Sequence, residues 1–183
     1  VDLFLDAHRE APSRIVLDLD ATDDPVYGDQ EGRHFHGYYD CYCYLPLYIF
    51  CGRHLLAAKL RTSSVDAADG SVAEVARIIA QIRARWPATT IVIRADSGFC
   101  RDDLMTWCEV SDVQYVLGQA GNSRLVRKLT PEMRKARLRA KRTGQPARVF
   151  ADIDYRTRRS WSTKRRVIGK AEWTGGEANP RFV

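Results

Sequence analysis

The sequence has no CxxC pair, no long apolar run and no low-complexity tract, and each absence removes a class of protein. Its five cysteines, Cys41, Cys43, Cys51, Cys100 and Cys108, are odd in number and lack knuckle spacing, so neither a disulfide framework nor a zinc knuckle is supported. They read as buried, reduced thiols. No apolar stretch approaches the roughly 20 residues that cross a bilayer, and residues 1–6 lack the basic flank and apolar run of a signal peptide. The expectation is a soluble, cytoplasmic protein. His34 and His36 form an HxH pair that a strand places on one face, but no third ligand follows at metal spacing. The chain opens without Met and closes on the strand-like Arg181-Phe-Val183, which reads as a piece of a longer protein.

What is present fits one sizeable core with a small appendage in 183 residues. The net charge of +6 conceals an asymmetry. Residues 122–170 carry seventeen Lys or Arg against three acids, Glu132, Asp152 and Asp154, so the remainder is net acidic. A basic block beside an acidic one is the pattern of a polyanion-binding surface next to a cation-binding site.

The acidic part is organised around Arg14-Ile-Val-Leu-Asp-Leu-Asp-Ala-Thr22, an apolar run closed by two carboxylates and followed by Asp23 and Asp24. Strand alternation puts Asp18 and Asp20 on one face, with Asp20 nearer the strand end. Carboxylates are poor strand formers and costly to bury alone, so the run reads either as a site awaiting a cation or as an acidic turn. Downstream, the aromatic stretch 38–50 and residues 54–61 predict two antiparallel strands about the turn Cys51-Gly52-Arg53. Ser71-Val-Ala-Glu74 predicts a capping box opening a helix with Val75, Ile78, Ile79, Ile82 and Trp86 on one face, closed by Pro87. Thr90-Ile-Val-Ile-Arg-Ala-Asp96 is a second strand ending in a carboxylate, followed by a helix near 101–110 and a strand at 114–117. Asn122 caps a short helix, and Thr130-Pro131 restarts a second, strongly basic one. Beyond Pro146 the texture is that of strands, with Trp161 and Trp173 flanking the middle one.

If the two carboxylate-ended strands are neighbours, Asp20 and Asp96 meet at one sheet edge. Hard oxygen ligands there suit Mg²⁺ or Mn²⁺, and two such ions would serve an in-line phosphodiester displacement. Leu17-Asp-Leu-Asp-Ala-Thr22 and Ile93-Arg-Ala-Asp-Ser-Gly-Phe99, with Arg33-His-Phe-His-Gly-Tyr-Tyr-Asp40 and the run from Ser160 to Glu172, resemble the DDE transposases of bacterial insertion sequences. The resemblance runs over nearly the whole chain. It implies an α/β, RNase H-like mixed sheet flanked by helices, with a β-rich insertion at the C-terminal end: residues 1–146 as a partial catalytic core and 147–183 as part of the insertion. It implies Asp20 and Asp96 as metal-holding acids, with Asp18 an outer carboxylate or the true ligand. The family's third acid, a Glu on a helix, is expected beyond Val183, so the chain as given is not expected to complete a two-metal site. The implied reaction is nicking at element ends and strand transfer into double-stranded target DNA, by a homodimer in the full-length protein. Arg124, Arg127, Lys128, Arg156, Arg158, Arg159, Lys164, Arg165 and Arg166 are candidate phosphate contacts. Trp161 is a candidate either for stacking on an extruded base or for packing between the added strands.

Two other readings compete. Asp18-Leu-Asp-Ala-Thr22 also fits the DxDxT opening of haloacid-dehalogenase-like phosphatases, with Asp18 as nucleophile, Asp20 as acid/base and Mg²⁺ as partner, on a parallel sheet. A catalytically inactive transposase remnant would bind DNA and do no chemistry.

Overall fold

The computed structural model describes residues 1–183, and the chain divides into two compact units, residues 1–117 and 118–183. In the first, α1 (Asp2–Asp6) leads into β1 (Arg14–Ala21), the centre of a five-stranded sheet. β5 (Leu47–Cys51) and β6 (His54–Lys59) extend it antiparallel on one side, and β7 (Thr90–Ala95) and β8 (Gln114–Leu117) run parallel to β1 on the other. The order is β6-β5-β1-β7-β8. Along β1, Ile15, Leu17 and Leu19 are buried, whereas Val16 and Asp18 are half-buried and Asp20 is exposed. This alternation follows from the period of two, so one strand supplies both core and site. The helix α2 (Ser71–Arg85) adds Val75, Ile78, Ile79 and Ile82 to the core, and α3 (Asp102–Val110) adds Leu104, Met105 and Cys108.

Three local expectations change. The aromatic stretch is two strands, because Pro46 interrupts it: β4 (Cys41–Tyr44) joins a small ribbon with β2 (Asp24–Pro25) and β3 (His34–His36), and only β5 enters the main sheet. The capping box does not form. Gly70, at φ +69°, holds the N-cap of α2, which makes Ser71 the first helical residue, and Glu74 pairs with Arg77 instead. The basic region is one helix, α4 (Ser123–Thr143), running through Pro131. Leu125, Leu129 and Ala136 keep one buried stripe in phase across the proline, whose ring lies on the exposed side where the freed carbonyl can be hydrated.

The second unit packs α4 on an antiparallel sheet of β9 (Ala147–Tyr155), β10 (Arg165–Thr174) and β11 (Glu177–Phe182), in the order β11-β10-β9. Asn122 caps the helix by accepting from the N–H groups of Arg124 and Leu125 at 3.1 and 3.2 Å. Gly175 and Gly176, at φ +60° and +87°, form the two-residue turn between β10 and β11 that a right-twisted hairpin favours. Because α4 packs on this sheet, the compact units part at residues 117 and 118. No helix is long and apolar enough to cross a membrane.

Candidate metal centre

The centre is built where β1 and β7 end. Their parallel register pairs Asp18 with Arg94 and Leu19 with Ala95, so Asp20 and Asp96 each stand one residue past the last rung, on adjacent strands. Arg94 grips Asp18 with both forks, Nε donating to Oδ1 at 2.5 Å and Nη2 to Oδ2 at 2.9 Å. That hydrogen bond and the Asp18 charge push the Arg94 guanidinium up. Two residues further, Asp20 is exposed and in no ion pair.

Asp96 is held by its own backbone turn. It is the N-cap of the short 3-10 turn Ser97–Phe99, and its Oδ1 accepts from the Gly98 N–H at 2.8 Å. Gly98 fits closely there: a Cβ would stand 3.0 Å from Asp96 Oδ1 and 3.2 Å from Ala67 Cβ. Phe99 is buried and pins the turn to the core. The loop carrying Ala67 is itself fixed by buried Arg61, which donates to the carbonyls of Leu45, Ala67 and Asp69. Asp66, at its middle, pairs with Arg101 at 2.8 Å. Burial alone would raise the Asp66 carboxyl, but the hydrogen bonds from Arg101 and the Ala68 N–H outweigh it and the net displacement is downward.

A third group is visible only in three dimensions. Tyr39, half-buried on the turn between β3 and β4, is pushed up by burial first and then by the charges of Asp23, Tyr38, Asp20 and Asp96. The aromatic run hides it among five similar residues. Its one sequence signal is membership of the His-Gly-Tyr-Tyr-Asp stretch.

Asp20 and Asp96 are the hard, exposed oxygen donors that Mg²⁺ or Mn²⁺ takes, and in that respect the residues fit such an ion. No three His, Cys, Asp or Glu side chains converge to hold one. The HxH pair lies opposite Cys43 and Cys41 across the β3–β4 ribbon without forming such a group. Glu172 is no third acid: Arg148, Lys170 and Asn179 hold it at 2.5, 3.0 and 3.0 Å in the second unit.

A family model described as Transposase DDE domain group 1 matches residues 1–183. The chain belongs to that family. No curated protein matches it significantly. In this transposase domain the candidate phosphate contacts all fall in the second unit. Arg127, Lys128, Arg156, Arg158, Arg159 and Lys164 are exposed, and Arg166 is exposed but paired with Asp152 at 2.7 Å. Arg124 is half-buried, donating to the Arg156 carbonyl at 3.2 Å and lying over Tyr155. Trp161 and Arg165 differ in kind. Each is only 6% exposed, with Trp161 edge-on to Tyr155 and the Arg165 guanidinium over its indole.

Proposed function

We propose that Asp20 and Asp96 are the metal-holding acids of this transposase domain and that Asp18 is a structural carboxylate. The observation that carries the reading is a contrast two residues apart on the same strand: Asp18 is neutralised by a bidentate arginine, whereas Asp20 and Asp96, just past the last rung on adjacent strands, have no cationic partner. A sheet with two antiparallel strands on one side of β1 and two parallel ones on the other supports the RNase H-like assignment. The same two antiparallel strands and the engaged state of Asp18 weigh against the haloacid-dehalogenase-like alternative, whose nucleophile must be free.

A divalent ion held by Asp20 and Asp96 would supply electrostatic stabilisation to the attacking and leaving oxygens of a phosphodiester. Within the chain, the Gly98 N–H orients the Asp96 carboxylate and Arg94 withdraws Asp18 from competition. The substrate proposed is DNA at the ends of a mobile element, cut and then joined to target DNA. The test is Mn²⁺ affinity by calorimetry on the full chain. Asp20→Asn and Asp96→Asn should each weaken binding about tenfold, the equivalent of ~1.4 kcal/mol, whereas Asp18→Asn leaves it within about twofold. Loss of binding in Asp18→Asn alone would reverse the assignment.

A further inference from the structure

The 21-residue helix α4 carries nine Lys or Arg and one acid, Glu132. Its buried stripe, Leu125, Leu129 and Ala136, faces the β9–β10 sheet, which leaves the cations on the solvent side. They are not scattered over it. Arg127, Arg134 and Lys141 recur at intervals of seven, and so do Lys128, Lys135 and Arg142. Seven residues make nearly two helical turns, so each set forms a row along the axis with steps of about 10.5 Å, and the two rows lie ~100° apart around it. All six are exposed, and the ion pair of Lys135 with Glu132, at 3.5 Å, is the helix's one contact with an acid. Between the rows lie Arg124, Pro131 and Leu138, again at intervals of seven; Arg124 is half-buried over Tyr155, so Pro131 and Leu138 make the exposed part of this line. Leu138 is 68% exposed, an unusual place for a leucine on a helix with a complete buried stripe.

We propose that α4 is a duplex-binding helix, with one cation row on each phosphate wall of a major groove and the Pro131–Leu138 ridge toward the base edges. With side chains a helix is roughly 10–12 Å across, and the major groove is about 12 Å wide. Long Lys and Arg side chains on two flanks therefore reach both walls while the midline faces the floor. An apolar midline suits contact with thymine methyl groups. This rests on reading the chain as a DNA-acting transposase domain, and it assigns the work to a different set of side chains from the buried Trp161 and Arg165. A single acidic surface, such as an anionic membrane, would need only one positive face and gives no reason for two rows divided by an apolar line.

The test is anisotropy of a short labelled duplex with the full chain in EDTA, titrated with salt. Neutralising either row to Gln (Arg127, Arg134 and Lys141, or Lys128, Lys135 and Arg142) should lower the magnitude of the log–log salt slope by about three, one per lost phosphate contact, with the helical circular dichroism unchanged. Methyl green, which fills the major groove, should compete, and netropsin, which fills the minor groove, should not. The proposal is overturned if both row variants keep the wild-type slope, if neutralising Arg158, Arg159 and Lys164 alone removes it, or if netropsin is the competitor. It is equally overturned if phosphatidylserine vesicles bind more tightly than the duplex. Asp96→Asn should bind the duplex like wild type in EDTA, and the row variants should keep wild-type Mn²⁺ affinity, so failure here and failure of the metal assignment are separate results.

Discussion

At the scale of single residues, two contacts decide how the carboxylate end is arranged: the Arg94 fork on Asp18 and the Gly98 N–H on Asp96. The first is a half-exposed pair, screened by solvent, so Asp18→Asn should produce only a small drop in the urea midpoint. The second is sterically tight. Gly98→Ala places a methyl group 3.0 Å from the Asp96 oxygen and 3.2 Å from Ala67, and the carboxylate, being the softer neighbour, should turn away. The expected outcome is an approximately tenfold loss of Mn²⁺ affinity with little change in thermal stability. An unchanged affinity would show that Asp96 binds in some other rotamer. Much of this was legible in the sequence, because Asp18, Asp20 and Asp96 close apolar runs where a strand must end. What was not legible is the choice between Asp18 and Asp20, since Arg94 comes opposite Asp18 only once the β1–β7 register exists. Tyr39 was hidden for the same reason, its relation to Asp20 and Asp96 being wholly tertiary.

At the scale of elements, α4 shows where local signals mislead. Thr130-Pro131 has the composition of a helix start, yet the stripe Leu125, Leu129 and Ala136 runs in phase through it and packing against the sheet overrides the break. The closest approach is at Gly169 on β10, where a Cβ would meet Leu129 Cδ1 at 2.7 Å and Ile153 Cδ1 at 3.2 Å. Gly169→Ala should therefore destabilise the second unit by about 1–3 kcal/mol, seen as earlier exchange of the α4 and β10 amides. Unchanged exchange would mean that the helix and sheet are not held at that distance. The aromatic run taught the opposite lesson. Its β character was right, and Pro46 alone divided it between two sheets.

At the scale of the whole molecule, charge is sorted by unit. Residues 118–183 hold eighteen Lys or Arg against five acids, and residues 1–117 hold eleven against eighteen. Within this arrangement several acids are paired: Lys170 and Arg148 hold Glu172 below the usual carboxylate range, Arg77 does so for Glu74, and Asp66 is also lowered. Groups whose folded values are depressed contribute stability above their unfolded values and lose it as the pH falls through the folded ones. Urea midpoints should thus be level from neutral pH down to the ordinary carboxylate range and fall on further acidification, with Glu172→Gln flattening that fall. A midpoint that rises on acidification would contradict the pairing. The central claim concerns the other end of the charge map, the two unpaired acids at the β1 and β7 ends. The most direct measurement is paramagnetic broadening of the amide spectrum of the labelled chain by substoichiometric Mn²⁺. Signals of Asp20, Ala21, Ser97 and Gly98 should disappear first. Broadening centred on Asp18 and Arg94, or spread over the acidic loop at 29–31, would show that the ion binds elsewhere.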